Sequence, residues 1–319
     1  MGWRDRTFPF YPQQRVPFIF DVASLEIIIV FLASACTFII ILPGIRGKAR
    51  PFWLLRVLSS LFIGAVILAV NFTSNWETGS VNVNTTYKAF SNIMMNVDVG
   101  LRVGLQGLNI TLTGKPIHQM NETIDYNEKF EWTLGKHFDE DYLEALERGL
   151  PDPILYVAEK FTMKSPCAVQ SQYRVAAYYA SAMMWLAFAT WIISNILFTM
   201  PNVHYGAYLI LATGACMILS LISFSAVRDA PSCTIVFGSS TLKTAFAGSF
   251  YLTLVTGVAC FLIGLVLLLL ESIQPTLVAR LFNLAEVEVI EEDEEDDLSD
   301  QQSHSEDCSS QTIPLHDMA

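Results

Sequence analysis

Five stretches of about twenty mostly apolar residues decide what this 319-residue chain can become, because a run of that length crosses a bilayer as a helix. They cover residues 22–42, 52–72, 178–200, 205–227 and 246–270. Pro43 and Gly44 close the first, and Pro201 closes the third. The expected fold is therefore a membrane bundle of five helices. Residues 1–21 precede it, residues 43–51 and 201–204 are short links, and residues 228–245 form a small loop. Residues 73–177 form the one long insertion, and residues 271–319 form a tail.

Charge gives the bundle a direction. The link GIRGKARPFWLLR carries Arg46, Lys48, Arg50 and Arg56 and no acid, whereas Arg4, Arg6 and Arg15 before the first helix are offset by Asp5 and Asp21. Lysine and arginine concentrate on the cytoplasmic side, so the N-terminus is expected outside and the C-terminus, after five crossings, inside. The net charge of −12 belongs to the tail: residues 271–319 hold 14 acids against Arg280 alone, and the rest of the chain sums to +1. That acidic tail reads as solvated and disordered and carries no information about partners of the membrane body. Nothing in the balance points to nucleic acid.

The same orientation puts the long insertion outside, and its sequons agree. Asn84-Thr-Thr, Asn109-Ile-Thr and Asn121-Glu-Thr all lie within it, and N-linked sugars are added only on the lumenal side. Asn71-Phe-Thr is a poorer candidate acceptor because it sits at the membrane edge. The cysteines sort by compartment. Cys36, Cys216 and Cys260 lie in spans, and Cys308 lies in a reducing cytoplasm. Cys167 and Cys233 alone face an oxidising space, and a disulfide between them is expected to tie the two outer loops together, two free thiols being the other reading.

The insertion is patterned as a domain. Val97, Val99, Leu101, Val103 and Leu105 fall on one face of an alternating stretch, and Leu108, Ile110 and Leu112 resume it after Gly107, which is a strand-turn-strand signal. Residues 123–132 suggest a further strand, and the glycines at 100, 104 and 107 suggest bulges or sharp bends. A helix is expected from an Asp139 N-cap to Gly149, with Tyr142, Leu143, Leu146 and Leu150 as its apolar stripe. A second short helix follows over residues 153–161.

Chemistry-bearing residues are few. The histidines at 118, 137, 204, 304 and 316 form no zinc spacing, and no nucleophile elbow, phosphate loop or dinucleotide fingerprint occurs. An enzyme is not expected, and no catalytic, cofactor-binding or metal site is assigned. Glu26, near the outer end of the first span, is either a functional intramembrane acid or a carboxylate that reaches water. Asn195 reads as interhelical hydrogen-bonding glue or as an ion or substrate ligand. Ser60 with Gly64, and Thr253 with Gly257, are spaced for close helix packing.

Several segments resemble one family, the dual oxidase maturation factors. They are LPGIRGKARPFWLLRVLSSLFIGAVILAVNF at 42–72, TTYKAFS at 85–91, GLNITLTGKPIHQMNETIDYNEKF at 107–130, ALERGLPDPILYVAEKF at 145–161, SPC at 165–167 and TFPFYP at 7–12. The resemblance implies a five-span, N-outside protein with a β-rich, claudin-like outer domain between spans two and three. It implies pairing with a dual oxidase, an NADPH oxidase that also carries a peroxidase-like outer domain. The chain would then be a non-catalytic subunit needed for that enzyme's exit from the endoplasmic reticulum, its delivery to the plasma membrane and its release of hydrogen peroxide. It would carry no cofactor of its own, the oxidase holding haem, FAD and NADPH, and its other contact would be membrane lipid. The family's glycosylated asparagines correspond to Asn84, Asn109 and Asn121. The loop departs from true claudins in having a single cysteine, and GLQG and GLNI in place of their GLW motif. Phe8, Phe10 and Tyr11 are candidate anchors for the partner, or else rings resting at the membrane interface. A claudin-like adhesion or barrier protein and a transporter are the competing readings.

Overall fold

The computed structural model describes residues 22–44, 50–88, 93–119, 122–132, 138–163, 165, 168–199, 203–226 and 235–273. Among them are five helices long and apolar enough to cross a membrane: α1 (Val22–Ile41), α2 (Arg50–Phe72), α5 (Ala168–Leu197), α6 (Val203–Ser225) and α7 (Gly248–Ile273). The chain is a multi-pass membrane protein. The apolar part of α5 begins at Gln172, while the helix itself starts ten residues before the apolar run that marked it in sequence. Backbone hydrogen bonding carries it on through Gln170, Gln172 and Arg174, where hydropathy fails as a guide.

Between apolar helices in lipid there is no hydrophobic drive to pack, so small residues and polar contacts must hold the bundle. A Cβ on Gly214 would lie 2.5 Å from the Phe261 nitrogen, and one on Gly264 would lie 2.7 Å from the Leu211 backbone. α6 and α7 therefore touch backbone to backbone. Gly64 gives way to the Trp191 ring in the same manner. Ser60 donates to Asn195 Oδ1, Asn195 Nδ2 donates to the Trp191 carbonyl at 2.7 Å, and Trp191 Nε1 donates to the Ser60 carbonyl at 3.2 Å. Asn195 is thus interhelical glue. α1 stands apart: it buries none of its residues and packs chiefly on α2.

The chain leaves α2 directly into an antiparallel sheet of order β4-β3-β2-β1-β7. The strands are β1 (Glu77–Thr86), β2 (Met94–Val103), β3 (Gly107–Gln119), β4 (Glu122–Glu131) and β7 (Thr244–Phe246). The last comes from the connection between α6 and α7, so the sheet joins two segments far apart in sequence. A hairpin, β5 (Ile235–Phe237) with β6 (Ser240–Leu242), precedes β7. The alternating stretch is β2 and β3, and Val97, Val99, Leu101, Leu108, Ile110 and Leu112 line a buried face in register. α3 (Phe138–Glu147) and α4 (Asp152–Lys160) cover that face through Phe138, Ala145, Ile154 and Val157.

Three local expectations change. The buried stripe of α3 is Phe138, Tyr142 and Ala145, while Leu143 and Leu146 are exposed. Apolar residues lie on several sides of this short helix, and Phe138, packed on Phe130 and Trp132 at 5.7 and 6.0 Å, selects the face. Asp139 lies inside the helix and accepts from the Met163 N–H at 3.3 Å. At Gly100 the ladder runs without a bulge, because the residue makes room for the Thr111 hydroxyl, 2.3 Å from where a Cβ would stand. The irregularity falls between Thr113 and His118 instead. Gly104 and Gly107 do flank a tight turn, closed by a 2.8 Å hydrogen bond.

Trp76 sits where helices and sheet meet and is fully buried. Its Nε1 donates to the Val70 carbonyl at 2.8 Å, and its ring packs on Phe224 and Phe250 at 5.1 and 6.2 Å. Its N–H donates to the Val103 carbonyl, and its own carbonyl accepts from Ala247. Trp76→Ala is expected to cost about 3–5 kcal/mol, the usual range for emptying a buried tryptophan site. The check is thermal unfolding in detergent against the parent chain, where a melting temperature within a degree would contradict it.

Candidate functional site

The surface with most to offer a partner is the outer face of this sheet. Alternation sends Asn82, Asn84, Asn96, Asp98, Arg102, Asn109 and Lys129 to the side opposite the core. Asn84 is exposed near the far end of β1, directly opposite Asn96. Asn109 is half-buried on β3, in the row Thr78, Arg102, Asn109, Lys129 at the end nearer the bundle. Two of the three sequon asparagines therefore share one face. Asn71 is different: it is 1% exposed in the last turn of α2, its Oδ1 accepts from Ser181 at 2.8 Å, and its Nδ2 is enclosed with no partner among the described residues. It is a packing residue of the bundle. Asn121, Cys167, Cys233, Phe8, Phe10 and Tyr11 lie outside the described residues.

One charged contact fastens the domain to the bundle at its rim, and others tie the domain to itself. Arg174, in the first turns of α5, pairs with Asp139 at 3.5 Å and lies over the Phe138 ring at 5.3 Å. Arg148 bridges Glu128 of β4 and Glu144 of α3 at 3.8 and 3.7 Å. Burial pushes the Asp152 carboxyl above its ordinary range. Burial, and then the nearby Glu159 charge, pushes the Tyr142 phenol up.

Sequence reasoning missed two features. Glu77, the first residue of β1, is 1% exposed, and neither carboxylate oxygen has a hydrogen-bond partner among the described residues. A polar residue after a tryptophan in a loop carries no signal of burial until β7 is known to close over it. His204 Nδ1 meets Glu271 Oε2 at 2.7 Å, linking the start of α6 to the end of α7. Their positions at adjacent ends of two successive spans were a usable clue. Glu26 is exposed on α1. No group of three or more metal-ligating side chains occurs among the described residues.

The polar, sequon-bearing sheet and the five-helix bundle have counterparts among known proteins. The model of the family described as "Dual oxidase maturation factor" matches residues 10–286. The chain belongs to that family. Dual oxidase maturation factor 1 of Xenopus tropicalis is 54% identical over 311 residues, 98% of each chain. The human dual oxidase maturation factors 1 and 2 are 51% and 49% identical, over 89% and 86% of this chain and 83% and 86% of their own lengths. The stretch shared with the family model takes in the bundle, the sheet and residues 10 and 11, and stops short of the acidic run that begins at Glu291.

Glu77 supplies a test of how the domain is built. An unsatisfied buried acceptor costs about 1–3 kcal/mol, and more when charged. Glu77→Met keeps the side-chain length and removes the polar atoms, so it is expected to raise the melting temperature in detergent. A fall would mean that the carboxylate has a partner in the folded protein.

Proposed function

We propose that this protein is a non-catalytic accessory subunit and maturation factor of a dual oxidase. It forms a heteromeric complex with the oxidase, carries it out of the endoplasmic reticulum, remains with it at the plasma membrane and supports its hydrogen peroxide production. The observation that carries this reading is the family match across residues 10–286, together with near-end-to-end identity of about half to relatives that bear the maturation-factor name. Haem, FAD and NADPH then belong to the oxidase, and this chain contributes surface.

In that reading the N-terminus and the sheet domain face the lumen and later the cell exterior, and the acidic tail faces the cytoplasm. The arginine- and lysine-rich link after α1 supports this direction. The sheet is a claudin-like outer domain, glycosylated at Asn84, Asn109 and Asn121. Phe8, Phe10 and Tyr11 supply aromatic anchors to the oxidase's outer domain. Cys167 and Cys233 form the disulfide that ties the two outer loops. Support for the pairing comes from Tyr156 of α4, which holds β5: its hydroxyl donates to the Val236 carbonyl at 3.2 Å, and its ring packs on Phe237 at 5.2 Å. Cys233 lies three residues before Val236, and Cys167 lies seven residues beyond the end of α4.

Co-expression with a dual oxidase is the direct test. With this chain, the oxidase should acquire complex glycans, reach the cell surface and release peroxide outside; an oxidase that matures equally well alone would sink the reading. Deleting residues 7–12 should reduce surface delivery and peroxide output together, and normal values for both would remove the docking role of the aromatics. On a non-reducing gel the parent chain should run faster than Cys167→Ser, and the difference should vanish on reduction. Equal mobility would leave the two thiols free.

A further inference from the structure

One edge of the sheet is open beside a sequon. β1 pairs with β2 along its whole length, but with β7 only at Glu77, Thr78 and Gly79. From Ser80 to Thr86 its other edge has no ladder partner among the described residues. Such an edge invites pairing with another chain, and proteins ordinarily cover it. Here the β5–β6 hairpin lies alongside, and it leaves a cavity of about 390 Å³ against the strand. Asn82, Asn84 and Asn96 line it from the sheet, and Phe237, Ser239 and Ser240 line it from the hairpin.

The lining is unusual in what it leaves unspent. None of the three carboxamides and neither serine hydroxyl makes a side-chain hydrogen bond to another described residue. Each carboxamide both donates and accepts, each hydroxyl does the same, and no charged side chain lines the space. A phosphate or carboxylate would find no cation there. A neutral ligand rich in hydroxyl and amide groups would find matched donors and acceptors, in a cavity at the lower end of the size range for small-molecule sites. Gly238, at the hairpin turn with φ +56°, has nothing within 4 Å of where a Cβ would stand, so the mouth is open on that side. Asn84 is itself the acceptor of a sequon completed by Thr86.

We propose that this cavity seats the first N-acetylglucosamine attached to Asn84, and that the sugar clamps the β5–β6 hairpin over the open edge of β1. The proposal rests on the glycosylation of Asn84 given under the proposed function. Attachment joins Asn84 Nδ2 to the anomeric carbon of a lipid-diphosphate-linked oligosaccharide; the amide loses one proton and the lipid diphosphate departs as the leaving group. The linked sugar needs little intrinsic affinity, because the covalent tether makes its contacts intramolecular. Asn109 does not line the cavity, so its glycan serves as the internal control.

The experiment is hydrogen exchange on the full-length glycoprotein in detergent, following peptides that cover residues 80–86 and 235–242. Four samples are compared, with Asn109→Gln as a separate control: intact glycans, glycans trimmed by endoglycosidase to a single N-acetylglucosamine, complete enzymatic deglycosylation of the folded protein, and Asn84→Gln. Intact and trimmed samples should be equally protected. Complete removal and Asn84→Gln should each lower protection of both peptides by about tenfold, the size expected from one or two hydrogen bonds. Asn109→Gln should leave both peptides unchanged. Peptide mass across residues 77–93 reads occupancy independently. Absence of sugar on Asn84 overturns the glycosylation reading and the proposal with it. Sugar present, with exchange equal in all four samples, overturns the clamp alone. Because one arm strips protein that is already folded, a folding defect in Asn84→Gln cannot mask the result.

Discussion

The fold depends on one indole placed at the boundary between two kinds of solvent. Trp76 follows α2 by four residues and precedes β1 by one, so it stands at the junction that positions the sheet over the helices. Its N–H satisfies a carbonyl of the last turn of α2, one of the orphan groups that any helix end must place. Its ring meets the aromatic side chains of α6 and α7. Its backbone is hydrogen-bonded on one side to β2 and on the other to the residue that leads into α7. A sheet hung on a single covalent link would pivot. Pinned through three helices and two strands, it has one orientation, and its polar face is presented at a fixed attitude.

How much of this the chain declared in advance followed from the size of the signal. The spans were legible because twenty apolar residues have no soluble alternative, and β2 and β3 because apolar positions alternate along each, with a shift at the turn between them. β1 escaped notice because ETGSVNVNTT offers only Val81 and Val83, too few to mark a buried face. β5, β6 and β7 are three residues each, too short for periodicity to mark, and β7 is a strand only through its pairing with the distant β1. The side of α3 that turns inward was ambiguous for a related reason: local periodicity allowed several faces, and Phe138 chose one through contacts made in three dimensions. Of the site, the sequons were readable as tripeptides, but the difference between exposed Asn84 and enclosed Asn71 belongs to the packed structure. Glu77 carries no mark of burial in the sequence, and only the packed sheet, with β7 paired beside it, encloses it.

The sheet face is polar without being strongly charged. Its asparagines and threonines offer donors and acceptors, while Asp98 is already engaged by Lys115 at 3.0 Å and Lys129 by Glu131 at 3.3 Å. Surface pairs of this kind contribute little to stability and are easily exchanged for other partners. The exposed Leu143 and Leu146 of α3 supply an apolar counterpart at the rim of the same domain. That mixture of polar and apolar exposed groups is the surface that the proposed partnership would draw on.

The pairing of β1 with β7 also sets a clock on biosynthesis. Gly79 and Thr244, opposite one another in the finished ladder, are separated by 165 residues of chain. At typical rates of roughly 5–20 residues per second, the ribosome needs on the order of ten to thirty seconds to make the second after the first. Throughout that interval the first strand lacks its edge partner, and Trp76 lacks the hydrogen bond from Ala247. The domain is therefore completed only after four of the five spans have been made. A nascent chain arrested anywhere before the last helix would display an unfinished sheet, so this one short strand doubles as a mark that translation has passed the loop between α6 and α7.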